Sequence, residues 1–313
     1  TLYLGVAQGS TDGRTPAEGM KVALAAMLSS PQFLYRSELG ERVGQVYKLT
    51  GYEMATYLSY TFVGTTPSSA LLAAAGRGEL DTPAGVRQHA AALLGTQQAR
   101  AMLTDFVNRW IGTDQLEIKE KAGFPNFAAL AADMKQELGK NFAHSMLDPA
   151  STYASLYRPS YTHVNQRLAG LYGLPFTGMG ADAEGFVRTP TNERGGILMS
   201  GAFLSRYATA NESNLVTRAV ALRRRLMCQD IPEPPSGVSL DRDALAQQDR
   251  EFFNAPTTTQ RMIYDRITLG TSCSECHAEI INPLGGGLEN FDALGRLRST
   301  DARNNPINAS GIF

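Results

Sequence analysis

The 313-residue chain holds only three cysteines, one tryptophan and four histidines. Three cysteines cannot build the disulfide framework of a small secreted domain. An excess of either charge is also missing, with 29 Lys and Arg against 30 Asp and Glu. That balance gives no polyelectrolyte field, and no basic stripe is interleaved with aromatics, so no nucleic-acid partner is expected. The short run Arg223-Arg224-Arg225 reads as the solvated face of a helix. No stretch of about 18 consecutive apolar residues occurs, so the chain offers no transmembrane segment. It also lacks a nucleotide loop, a nucleophile elbow and an H-E-x-x-H pair. It begins at Thr1 without a charged-then-apolar leader, which reads as a processed mature protein or a portion of a longer one.

What is present is mostly helix signal. Thr15-Pro16-Ala17-Glu18 and Thr50-Gly51-Tyr52-Glu53 both have the T-x-x-E form of a capping box. Thr82-Pro83 and Asn126 before Phe127 are further starts. Between them apolar residues recur at helical spacing, as in Leu103, Phe106, Val107 and Trp110, or Met134, Leu138 and Phe142. Alternating strand patterns are scarce, so the expected class is mostly α. The segment Ile231–Leu240 carries three prolines and a glycine and reads as an extended connector. The expected organisation is therefore a large helical domain over 1–230, a connector over 231–240, and a small α-helical unit over 241–313.

That last unit contains Cys273-Ser274-Glu275-Cys276-His277, the C-x-x-C-H spacing of c-type haem attachment. Two thiols three positions apart on one turn can each add to a vinyl group of the same porphyrin. The adjacent histidine then serves as proximal ligand to the iron, and the second axial position separates electron transfer from catalysis. The expected cofactor is one covalent haem c, which fits a protein exported to the periplasm or cell exterior. Pro283, Gly285, Gly286 and Gly287 read as a loop passing close to a flat cofactor.

The chain resembles the planctomycete-type cytochrome-like proteins, exported bacterial proteins built from adjoining domains of unknown function. The resemblance starts at Leu28-Ser29-Ser30-Pro31-Gln32-Phe33-Leu34-Tyr35-Arg36 and includes Tyr161-Thr162-His163-Val164-Asn165 and Arg194-Gly195-Gly196-Ile197-Leu198. Its most specific part is Cys273 to His277 with Asn282-Pro283-Leu284-Gly285, Leu288-Glu289-Asn290-Phe291-Asp292 and Gly295-Arg296-Leu297-Arg298. It implies a cytochrome c-like haem domain and says little about a reaction. Two positions depart from the resembled pattern. Members often carry Asp where this chain has Asn282, and often a histidine shortly before the motif where this chain has Asp265. Members also usually continue beyond the Ala309-Ser310-Gly311 turn, so a further domain, or a partner chain supplying it, is expected.

Several residues remain to be placed. No Met or His follows His277, so a second axial ligand has to come from upstream. Met262 is the first candidate, His163 the second, with His144, Met199 and Met227 behind them. Arg296 and Arg298 suit the haem propionates through forked pairing, or else pair with Glu289 and Asp292. The leading expectation is a one-electron carrier within a larger assembly, docked to a redox partner near Asn282 to Arg298. Its rivals are a peroxidase-like haem enzyme, an electron-accepting module of a dehydrogenase, and an envelope scaffold stapled by its cysteines. A zinc site of Cys228, Cys273, Cys276 and His277 belongs to the last reading.

Overall fold

The computed structural model describes residues 15–36, 38–233, 247–269 and 273–311. It is mostly helical, 54% helix against 7% strand. The chain divides into two compact units, Thr1–Ala99 and Arg100–Phe313.

In the first unit, α1 (Pro16–Leu28) and α2 (Pro31–Leu34) precede antiparallel strands β1 (Glu41–Val43) and β2 (Val46–Lys48). Helices α3 (Gly51–Val63), α4 (Ser69–Gly76) and α5 (Pro83–Leu94) follow. Both T-x-x-E signals form capping boxes. At α3, Glu53 accepts from the Thr50 amide at 2.9 Å and from the Leu39 and Gly40 amides at 2.9 and 3.1 Å. These donors, Thr50 first, hold its carboxyl down at about 2. Leu58, Leu71 and Leu80 form a small core with Ala55 and Ala75.

Helix α6 (Gln97–Ile111) leads into the second unit. There α7 (Phe127–Leu147) is followed by β3 (Tyr161–Val164), α8 (Gln166–Tyr172) and β4 (Val187–Pro190). The two strands pair antiparallel, Tyr161 opposite Pro190 and Val164 opposite Val187. Then come α9 (Gly201–Arg206), α10 (Leu215–Leu226), α11 (Arg250–Asn254) and α12 (Gln260–Thr268). The cysteine motif forms one helical turn, runs into a π-helical turn at His277–Ile281 and continues as α13 (Asn282–Gly286).

Three features differ from the sequence expectation. The contacts divide the chain at Ala99 and Arg100, not at Ile231–Leu240, of which 234–240 lie outside the described residues. The reason is that the C-terminal segment shares the main core. Ile281, Leu284, Phe291 and Leu294 are buried in the same cluster as Phe203, Leu204, Ala219 and Leu222. The expected glycine loop is largely helical, because α13 packs so closely on α10 that a Cβ at Gly285 would run into the Leu215 carbonyl. Arg223 does not join Arg224 and Arg225 at the surface. It is buried, donating from Nε to the Ile280 carbonyl at 2.7 Å.

A fully buried arginine joins the two halves of this unit. Arg218, on α10, donates through Nη1 to the carbonyls of Leu288 and Phe291, at 2.9 and 2.7 Å. Its Nη2 donates to Leu204 and Asp292 carbonyls at 3.1 and 2.7 Å. Burial pulls its pKa down to about 10, so it stays charged at neutral pH. Glu289, also buried, accepts from Ser213 Oγ at 3.0 Å and lies 3.6 Å from Arg298 Nη2. Arg218→Met keeps the apolar stem but leaves four carbonyls without their donor. It is expected to destabilise the protein by about 3–5 kcal/mol. Urea unfolding checks this, and a loss under about 1 kcal/mol would contradict the role.

A second polar network explains two of the motifs. Glu137 of α7 is fully buried. It accepts from Tyr172 Oη at 2.7 Å, Thr162 Oγ1 at 2.8 Å and the Gly201 amide at 3.1 Å. Arg194 lies 3.8 Å from Glu137 and 3.2 Å above the Tyr172 ring, and donates to the Gly295 carbonyl at 2.9 Å. Asn141 donates to Thr162 Oγ1 at 3.1 Å, and its Oδ1 meets the His163 amide and Nδ1 at 3.0 and 2.8 Å. Burial, then His144, Lys140 and Arg188, drive the His163 pKa down to about 4. His144 is shifted the same way, mainly by burial. The unfolded chain therefore binds protons that the folded one refuses between about pH 6.5 and 4. Stability should be full at pH 7 and fall as the pH drops through that window, by on the order of 3 kcal/mol from His163. His163→Gln should flatten the pH dependence of urea unfolding. An unchanged slope would show that His163 is not its source.

Candidate functional site

The turn Cys273–His277 is closed by backbone bonds from the Cys276 and His277 amides to the Cys273 carbonyl, at 3.2 and 3.1 Å. At i, i+3 spacing the two thiols lie on one side of that turn. Cys273, Cys276 and His277 are each half-buried. The π-helical turn that follows widens the backbone where His277 leaves it, a deviation that often occurs at functional sites.

His277 is held through Nδ1. The contact runs to Asn282 Oδ1 at 2.8 Å. Asn282 is buried and fully bonded: its Nδ2 donates to Asp265 Oδ1 and to Thr268 Oγ1, both at 2.9 Å. The Thr268 hydroxyl hydrogen goes to the Tyr264 carbonyl at 2.7 Å, so Oγ1 acts as acceptor toward Asn282. A carboxylate also only accepts. The amide orientation is thus fixed, with nitrogen toward α12 and oxygen toward the imidazole. In the neutral ring the proton then sits on Nδ1 and the Nε2 lone pair is bare. Two thiols on one turn beside such an imidazole fit the donor set of a covalent haem. Asp265 and Asn282, the two departures from the resembled pattern, touch each other.

The other expected residues are placed as follows. Pro283 is the second residue of α13, directly after the π-helical turn. Arg296 Nε bonds Asp292 Oδ2 at 2.6 Å. Arg298 donates to the Glu289 carbonyl at 3.2 Å and to Ser213 Oγ at 2.8 Å. Arg296 thus pairs with Asp292, and Arg298 Nη2 lies 3.6 Å from the Glu289 carboxylate. Met262 is exposed and lines a cleft of about 260 Å³ with Asp265, Glu289 and Arg298. Asp265 on α12 reaches His277 Nδ1 through Asn282. His163 sits in β3 with Asn141, His144 and Tyr161 as neighbours. Cys228 is exposed, with φ 52, just after α10. Among the described residues no three His, Cys, Asp or Glu side chains form a metal-holding group, so the Cys₃His zinc set is not assembled.

Sequence reasoning passed over Asn282, Asp265 and Thr268 as a unit, and Arg218 and Arg223 as anchors. The five-residue offset between His277 and Asn282 was the available signal for the first. A buried arginine has no local signature, so the second had none.

Among the described residues no helix is long and apolar enough to cross a membrane. No curated protein and no solved structure matches the chain. Three family models do. Residues 2–38 match PSD5, a protein of unknown function (DUF1595). Residues 49–174 match PSD4, a protein of unknown function (DUF1592). Residues 194–301 match PSCyt3, a protein of unknown function (DUF1588), and this stretch contains Arg218, Asp265 and everything from Cys273 to Arg298. These are the planctomycete cytochrome-like domain families, and the chain carries one segment similar to each, in succession along its length.

Proposed function

We propose that the chain is an exported c-type cytochrome that passes one electron at a time, with one haem joined to Cys273 and Cys276 and its iron on Nε2 of His277. The observation that carries this reading is the oriented imidazole: its Nδ1 is bonded to Asn282, which makes Nε2 the acceptor nitrogen, next in sequence to a turn holding Cys273 and Cys276. The family description of residues 194–301 as PSCyt3 supports a cytochrome-like protein. When bound, the haem supplies the one-electron iron couple. The protein's part is to hold the ring in one tautomer, present both thiols on one side and anchor the turn. Arg223 does the last through the Ile280 carbonyl, and Arg218 through the 288–292 turn. A redox partner, or a larger assembly outside the cytoplasm, would meet the haem near residues 282–298.

Attachment adds each S–H across a vinyl double bond, so no atom is lost and the protein gains the mass of one whole haem. The purified protein is expected to give a pyridine haemochrome spectrum and to keep its haem absorbance after denaturation. A haem-free mass from cells equipped for haem attachment would end the reading.

Met262, exposed on α12 and lining a cleft with Asp265, would be the first candidate for the second axial position of such a haem. Met262→Ala is expected to change the spectrum of the oxidised protein and to open it to carbon monoxide or cyanide. An unchanged spectrum would exclude Met262, and ready ligand binding by the unmutated protein would favour the haem-enzyme alternative.

A further inference from the structure

The Asp265–Asn282–His277 chain does more than close a local hydrogen-bond ledger. We propose that Asn282 and Asp265 are positioning residues that hold His277 as its Nδ1–H tautomer and limit how much electron density the imidazole can give to a metal at Nε2. The redox half of this rests on the haem reading above; the tautomer half does not.

Every atom in the chain is assigned by its neighbours. Asn282 Nδ2 gives one hydrogen to Asp265 Oδ1 and the other to Thr268 Oγ1, each at 2.9 Å. Its Oδ1 is what remains for His277 Nδ1 at 2.8 Å. Turning the amide over would set its oxygen against the Asp265 carboxylate and lose two bonds in a buried position, where an unmade bond costs about 1–3 kcal/mol. The ring orientation is thus fixed by the polypeptide before any cofactor is present.

The identity of the residue between ring and carboxylate matters. A carboxylate placed directly on Nδ1–H makes a charge-assisted bond, roughly twice as strong as a neutral one, and shifts the imidazole toward anionic character. Here a neutral amide touches the ring and the carboxylate lies one residue further out, on α12. The amide passes on only part of that polarisation. Asp265 and Asn282 also constrain each other: Asp265 needs a donor at position 282, and a second carboxylate there would sit 2.9 Å from the first and be repelled.

Exchange of the two side chains tests this. Asp265→Asn with Asn282→Asp moves the carboxylate onto the imidazole and returns the amide to α12. The imidazole bond and the 265–282 bond are kept, while the Thr268 hydroxyl keeps one of its two bonds, to the Tyr264 carbonyl or to position 282. Asn282→Asp alone brings two carboxylates together and is expected to be less stable than both the unmutated protein and the double variant. In the full chain produced without haem, ¹⁵N NMR of the imidazoles should show His277 as the Nδ1–H tautomer. It should stay so in the double variant and become a mixture in Asn282→Ala. With haem attached, the double variant should have the lower midpoint potential, by about 59 mV for a tenfold change in the one-electron equilibrium. An Nε2–H tautomer in the unmutated chain would overturn the proposal. So would a folded double variant with an unshifted potential. Should no haem attach to any variant, the haem reading falls, and the NMR and stability results still decide the positioning role.

Discussion

One buried guanidinium ties the turn at 288–292 to α9 and α10. Arg218 cannot leave its site without stranding the carbonyls of Leu204, Leu288, Phe291 and Asp292. No hydrophobic contact could specify that geometry, since apolar packing is non-directional while four bonds from one planar group are not. The turn at 288–292 is thereby fixed on α10, and α13 is pressed against the same helix through Gly285. Arg223, one and a half turns further along α10, fixes the end of the π-helical turn through Ile280. The cysteine motif lies between α12 and this anchored segment.

From that anchoring follows the character of the site. His277 is oriented by groups on two elements, Asn282 at the start of α13 and Asp265 with Thr268 on α12. Neither helix is long, and neither is stabilised by its own length. α13 is held through Leu284 in the core it shares with α9 and α10, and α12 packs against α13 and the π-helical turn. An imidazole held in this way is oriented before any metal reaches Nε2, which would suit an electron carrier and equally a haem that binds a small oxidant. The second axial position would separate these two.

Much of the fold was legible in the sequence because its signals are local. Thr15 with Glu18 and Thr50 with Glu53 mark helix starts by bonds that span three residues, and both boxes form. The C-x-x-C-H motif is local in the same sense. What the sequence could not reveal depends on contacts across long separations. The partition at Ile231–Leu240 looked natural from its prolines, yet Phe291 and Leu294 are buried beside Phe203 and Leu204. Arg223 looked solvated beside Arg224 and Arg225 until a carbonyl 57 residues away claimed it. Tyr161-Thr162-His163-Val164-Asn165 and Arg194-Gly195 carried no visible chemistry as motifs. Thr162 and Arg194 belong to the network around buried Glu137, and His163 joins it through Asn141, where burial keeps the histidine neutral well below its usual range.

The most direct test of the central claim is mass analysis of the tryptic peptide spanning residues 267–296, bounded by Arg266 and Arg296. Protein recovered from cells able to attach haem should yield this peptide carrying one haem, with both Cys273 and Cys276 resistant to alkylation and Cys228 alkylated. The unmodified peptide with both motif cysteines alkylated would contradict the account.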